Sequence, residues 1–220
     1  FQGSAYVFTR SGSTWTQQAK LTAGDGAAGD RFGVSVALDG DTALVGAYYD
    51  KVGANDYQGS VYVFTRSGST WTQQAKLTAG DGRTSDLFGI SVALDGDTAL
   101  VGAYDDDVGA NTDQGSAYVF TRSGTTWAQE SKLTAGDGAV HDRLGYSVAL
   151  DGGTALVGAR YETEGANSFQ GSAYVFTRSG STWTQQTKLT ADDGAAYEYF
   201  GTSVALDGDT ALVGAYGDNS

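Results

Sequence analysis

Along residues 88–94, "FGISVAL", large apolar side chains alternate with small ones. Phe88, Ile90, Val92 and Leu94 share one face, and Gly89, Ser91 and Ala93 share the other. A period of two predicts a strand. Asp95-Gly96 then predicts a tight hairpin, after which "TALVGAY" resumes as a second strand. The acidic loop "DDDVGANTDQ" leads to a third strand, "GSAYVFTR", where Tyr118 and Phe120 alternate with Ala117 and Val119. After the turn "SGTT", a fourth strand, "WAQESKLTA", places Trp127 and Leu133 among polar neighbours such as Glu130 and Lys132. No stretch shows a helical period, and 33 glycines argue further against long helices.

The pattern recurs. Phe32, Phe88, Leu144 and Phe200 open the same phrase every 56 residues, and "QGS" keeps that spacing at Gln2, Gln58, Gln114 and Gln170. Repetition at this scale signals units that bury apolar surface only against their neighbours. The first strand is small and apolar on both faces and is expected to be the most buried. The fourth is expected at the edge, with Thr16, Gln18, Lys20 and Thr22 on one face. Four antiparallel strands with that gradient describe a blade, so the expected fold is all-β: a β-propeller of four four-stranded antiparallel blades in a single repeat domain, 1–220. The blades are 32–87, 88–143, 144–199 and a composite of 200–220 with 1–31. The half-blades at the two ends of the chain close the ring. Tyr6, Phe8 and their equivalents are expected in the core. Trp15, Trp71, Trp127 and Trp183, one per unit, fit packing between blades better than sugar stacking.

"FG" at the start of the first strand and "GA" late in the second resemble the FG-GAP repeat of integrin-like propellers and similar bacterial arrays. Phe32-Gly33 with Gly46-Ala47, Phe88-Gly89 with Gly102-Ala103, Leu144-Gly145 with Gly158-Ala159 and Phe200-Gly201 with Gly214-Ala215 carry the likeness. The resemblance implies an extracellular or cell-surface binding or adhesion module, commonly with calcium in its loops. It is not complete. Tyr48, Tyr104, Arg160 and Tyr216 stand where the family has proline. The hairpin "LDGDT" is too short for a D-x-D-x-D-G calcium loop, so the family's calcium site does not transfer there. Integrin propellers also have seven blades, against four here.

The units differ unevenly. The hairpins "LDGDT" and "RSGST" barely vary, whereas the inter-blade loops and the loops between second and third strands diverge. Alternate connections lie at opposite ends of an up-and-down sheet, so the variation falls on one face. That face carries Tyr48, Tyr49, Tyr57, Tyr104, Tyr161, Phe169, Tyr197 and Tyr199, the expected ligand-binding residues for a glycan or an extracellular protein. Drift in solvent-exposed loops is the competing explanation, and it does not account for the uniformity of the other hairpins.

Charge narrows the partners. Thirteen basic and 26 acidic residues give a net charge of −13, which repels nucleic acid and anionic membrane surfaces. No apolar run is long enough to insert in a membrane. There is no cysteine, hence no disulfide or thiolate chemistry. The chain has no methionine and opens mid-repeat, as a processed product or a segment of something longer would. Each inter-blade loop holds a spaced acidic pair: Asp25 and Asp30, Asp81 and Asp86, Asp137 and Asp142, Asp193 and Glu198. The second members, Asp30, Asp86, Asp142 and Glu198, are candidate oxygen ligands for calcium at a channel mouth. Capping of their own loops is the alternative, as it is for the denser group Asp105, Asp106, Asp107 and Asp113. His141 is the only histidine, and no serine is marked as its nucleophile, so the chain is not expected to be an enzyme. The expected function is non-enzymatic binding. The alternative is self-association of near-identical units, as a strand-swapped eight-bladed dimer or a filament.

Overall fold

The computed structural model describes residues 1–218. It is all-β, with sixteen strands that follow the sequence period. The first complete unit comprises β3 (Val36–Asp39), β4 (Thr42–Ala47), β5 (Ser60–Ser67) and β6 (Thr70–Leu77). The second comprises β7 (Ser91–Asp95), β8 (Thr98–Ala103), β9 (Ser116–Ser123) and β10 (Thr126–Leu133), and the third β11 (Leu144–Asp151), β12 (Thr154–Ala159), β13 (Ser172–Ser179) and β14 (Thr182–Leu189). Each forms one antiparallel sheet in chain order, so the polar fourth strand is an edge as expected. At the N-terminal side β1 (Ala5–Ser11) pairs only with β2 (Thr14–Leu21), and at the C-terminal side β15 (Phe200–Asp207) pairs only with β16 (Thr210–Ala215). Among the described residues no helix is long and apolar enough to cross a membrane.

The expected composite blade is therefore not formed. β1-β2 and β15-β16 are separate two-stranded sheets, and no ladder joins β16 to β1 among the described residues. Residues 219–220 of that blade lie outside the description. The consequence for Tyr6 and Phe8 is direct. Their equivalents in the complete sheets, such as Tyr62 and Phe64, are buried at 0% and 3% exposure because β4 pairs beside β5 and the preceding β1-β2 sheet, through Leu21, Ala5, Val7 and Ala19, covers their face. Tyr6 and Phe8 have no such strand beside β1 and are 51% and 52% exposed.

The core lies between successive sheets. Leu44, Val61 and Val63 of one sheet pack with Phe88, Val101, Tyr118 and Phe120 of the next. Complete burial of a side chain such as Phe88 contributes about 2–3 kcal/mol. The most buried strands are the second ones, not the first: all six residues of β4 and of β8 are buried, whereas β7 is only half-buried throughout. First strands occupy the inner sheet edge and pack on one another from unit to unit. They pair with a neighbour on one side only. The second strands pair on both sides and meet an adjacent sheet.

The glycines of the "FG" and "GA" phrases make this stacking possible. A Cβ on Gly46 would stand 2.1 Å from the carbonyl oxygen of Gly89 in the next unit. That carbonyl also accepts a 2.7 Å bond from the Ser35 hydroxyl, so the two backbones meet where no side chain fits. The fourth strands carry a bulge. Gln18, Gln74 and Glu130 have no cross-strand partner in their ladders. A bulge re-aims its residue. Here each turned side chain accepts the indole N–H of the following unit: Trp71 to Gln18 at 2.9 Å, Trp127 to Gln74 at 3.1 Å and Trp183 to Glu130 at 3.0 Å. The tryptophans thus tie outer strands together, and Trp15 stays exposed.

Candidate functional site

The two ends of the sheets are built differently. At the uniform end, Asp39, Asp95 and Asp151 each accept the turn N–H of the next unit, from Gly96, Gly152 and Gly208. These hairpins are alike because each one holds its neighbour. At the variable end, the second-to-third-strand loop of one unit bonds to the inter-unit loop that follows. Ser85 N–H donates to the Asp56 carbonyl, Leu87 to Tyr57 and Phe88 to Gln58, and the pattern returns in the next two units. The frame is fixed by Asn55, whose amide donates to Gln58 and to the Gly82 carbonyl, and by its equivalents Asn111 and Asn167. Between each Asn and Gln stand two residues that change from unit to unit: Asp56-Tyr57, Thr112-Asp113 and Ser168-Phe169. The variation is therefore displayed on an ordered frame.

The backbone at this end is also strained. Among the described residues ten non-glycine residues have positive φ, and all ten are in these loops: Arg31, Leu87, Arg143 and Tyr199 at one position of the unit, Tyr57, Asp113 and Phe169 at a second, Ser85, His141 and Tyr197 at a third. The uniform turns meet the same conformational demand with glycine, at Gly40, Gly96, Gly152 and Gly208. A bulky residue in the left-handed region is costly and persists where its side chain has a use.

The aromatic residues expected here are gathered. Tyr49 contacts both Tyr48 (ring centroids 4.2 Å apart) and Tyr57 (4.9 Å). Tyr161 meets Phe169 at 5.5 Å and Tyr199 at 5.6 Å, and Phe169 meets Tyr197 at 5.7 Å. Tyr57, Phe169 and Tyr197 are exposed, and Tyr48, Tyr49, Tyr104, Tyr161 and Tyr199 are half-buried. Burial raises the Tyr48 hydroxyl pKa, with Tyr49 adding to it. Burial also raises that of Tyr104, to about 12, with Asp105 reinforcing the shift.

Several participants were missed by sequence reasoning. Arg143 lies over both Tyr104 (5.2 Å) and Tyr161 (4.9 Å), and Arg160 over Tyr161 (4.4 Å) and Tyr146 (3.8 Å). Tyr146 in turn meets Tyr104 at 5.5 Å. These five side chains form a closed cycle of rings and guanidinium groups. Arg31 covers Tyr49, and Tyr216 stacks on Tyr199. The available signal was variation at loop-facing positions of the unit: Arg160 stands where the other three have tyrosine, and Tyr146 where they have Val34, Ile90 and Thr202.

The candidate calcium ligands are placed otherwise. Asp30, Asp86 and Asp142 are buried and accept the backbone N–H of Ala27, Arg83 and Ala139, three residues earlier. Each closes its own loop, and Glu198 is buried in the equivalent place. Among the described residues no three acidic or histidine side chains converge as a metal ion requires. Their loop partners are engaged as well. Asp25 accepts the Tyr62 hydroxyl and pairs with Lys76, which also pairs with Asp50. Burial pushes Asp25 up, but Lys76 and Tyr62 more than offset it, and the carboxyl ends below its ordinary range. Asp81 and Asp137 behave alike.

A cavity of about 470 Å³ opens at the variable end where three loops of the second and third units meet. Asp113, His141, Arg143, Tyr161 and Phe169 line it. A slightly larger one, about 530 Å³, is mostly apolar and lies between β1 and the β3-β4 hairpin, in the gap beside the N-terminal half-sheet. A family model described as FG-GAP repeat matches residues 15–64, 71–120, 127–176 and 183–220. No curated protein matches the chain.

Proposed function

The chain belongs to the FG-GAP repeat family, and on that premise we propose that it is a non-enzymatic binding or adhesion module acting outside the cell. Its four-stranded sheets serve as the blades of a propeller, and the variable end recognises a glycan or a protein. The observation that carries this reading is the placement of strain. Among the described residues, bulky side chains hold left-handed backbone at the variable end alone, on an Asn-Gln frame that keeps them in place. Exposed rings beside guanidinium groups supply contact area at a small entropic cost.

The test compares the wild type with Tyr57→Ser/Tyr197→Ser on arrays of glycans and extracellular matrix proteins. Ser69→Tyr, at the opposite end, is the control. The paired variant is expected to weaken capture by at least about tenfold with little change in melting temperature, and the control to bind as wild type does. Equal binding by the paired variant, or no capture at all, overturns the reading.

A second reading, assembly through open edges, is favoured by the exposed faces of β1 and β16, where Tyr6 and Leu212 are 51% and 71% accessible. In every complete unit the second strand pairs with the third in one register, as Leu44 does with Val63. β16 offers that register to β1 within one chain or between copies. A native mass above 22.7 kDa supports pairing between copies, and a monomer rejects it.

A further inference from the structure

The cavity at the junction of the second and third units differs chemically from the rest of the face. At the equivalent positions one unit earlier stand Tyr57 and Ser85, and one unit later Phe169 and Tyr197, whose rings are in contact. Here the pair is Asp113 and His141, with the carboxylate 3.0 Å from the imidazole Nδ1. Both sit in left-handed backbone, as do Arg143 and Phe169, so four of the five lining residues are strained.

The polar groups are held in advance of any ligand. Asp113 N–H donates to Asp107 at 3.0 Å, and the Asp113 carbonyl accepts from Arg143 N–H at 3.2 Å. Arg143 is sandwiched by Tyr104 and Tyr161 and lies 3.1 Å from Asp105. A carboxylate, a guanidinium, an imidazole and two ring walls therefore face one space of about 470 Å³, within the size range of small-molecule sites, roughly 300–1,000 Å³.

Charge selects the ligand class. An anion entering the cavity meets Asp113 and the field of a chain with net charge −13. A cation meets the Arg143 guanidinium at close range. An uncharged polyhydroxyl ligand meets neither penalty, because each hydroxyl both donates and accepts and so satisfies Asp113 and Arg143 together. The apolar C–H face of a sugar ring is also the right shape to cover Phe169 and Tyr161. Building on the binding reading above, we propose that this cavity is a subsite for a neutral pyranose unit of a glycan, with Asp113 and Arg143 fixing its hydroxyls and Phe169 its ring face.

The probes are methyl glucopyranoside, galactopyranoside and mannopyranoside, compared with the anionic methyl glucuronide and the cationic methyl glucosaminide. Saturation transfer to each sugar reports binding, and the imidazole resonances of the only histidine report its location. At least one neutral sugar is expected to bind and to shift the His141 signals, with the charged pair at least about tenfold weaker. Asp113→Tyr/His141→Ser installs the residues that the preceding unit tolerates at the same backbone angles, so it is expected to fold and to lose the sugar.

Three outcomes overturn the proposal: no neutral sugar shifts His141, the charged sugars bind equally well, or the paired variant retains binding. If Tyr57→Ser/Tyr197→Ser abolishes capture of an array partner while Asp113→Tyr/His141→Ser does not, the binding face stands and this subsite falls. If nothing binds either set of residues, both fall.

Discussion

Glu162 stands where the two preceding units have Asp50 and Asp106, and one methylene changes a buried network. Asp50 and Asp106 accept the hydroxyls of Ser60 and Ser116 while pairing with Lys76 and Lys132. Glu162 keeps its lysine, Lys188, and the Tyr174 hydroxyl at 2.9 Å. Its other oxygen has no partner, and neither has the Ser172 hydroxyl, although both are buried. Orphaned polar groups of this kind cost about 1–3 kcal/mol. Glu162→Asp is therefore expected to raise the melting temperature by a few degrees, roughly 2–4 °C per kcal/mol at this chain length. An unchanged or lower value in a thermal melt counts against the orphaned pair. Nothing in the sequence flagged this site, because Glu for Asp preserves charge and pattern while the fault lies in reach.

At the scale of the element, strands and hairpins were legible because period two and the Asp-Gly turns are local signals. The order of burial was not. The first strand, small and apolar on both faces, read as the most buried, and only the packing of successive sheets shows that it is the second strand that has neighbours on both sides. Coupling between outer strands was also hidden. Arg66 and Arg122 pair with Asp41 and Asp97 in their own units, but the third unit has Gly153 at that place. Arg178 turns instead to Glu130 of the preceding unit at 2.8 Å, where the other units carry glutamine at the bulge. The two departures compensate each other. Glu130→Gln alone is expected to destabilise by about 1–2 kcal/mol, since it strips Arg178 of its carboxylate. Adding Gly153→Asp should recover most of that loss, because a Cβ there meets only ordinary contacts with Arg178, the nearest at 3.6 Å. Denaturant melts of the singles and the double close the cycle, and simple additivity rejects the coupling.

Across the whole molecule, two sets of carboxyls pull stability in opposite directions with pH. Burial raises Asp86 to about 7, with Asp106 and Asp107 adding to the shift and Lys132 opposing it. Burial raises Asp105 to about 6 against Arg143, and Asp142 to about 6 against Lys188. Unfolded, these groups titrate near 3.8. The folded chain thus holds their protons longer, and stability falls as pH rises from that value through 6 to 7. Asp25, Asp81 and Asp137 are lowered, so their pairing stabilises above 3.8 and is lost as pH falls below it. The melting temperature is expected to be higher at about pH 5 than at about pH 8. Asp86→Asn, whose carbonyl still accepts from Arg83, should narrow that difference. A flat or rising profile rejects the assignment. The repeat array itself was visible from recurrence alone, whereas the separation of the two half-sheets depends on long-range pairing that no window of sequence reports.

The Asn-x-x-Gln frame of the variable loops has a consequence for how such a chain can change. The frame's hydrogen bonds use Asn and Gln side chains and the backbone, and none uses the two intervening side chains. Each unit therefore offers a two-letter slot whose contents lie at the loop surface and take no part in the frame. Tyrosine, aspartate and phenylalanine already occupy the second letter at nearly the same φ, 57, 51 and 57°. Substitution there leaves the frame's hydrogen bonds in place, whatever strain the left-handed backbone imposes on the new side chain, and duplication of a unit copies the slot with its frame intact. An array of this design can diversify its variable surface faster than it diversifies its fold.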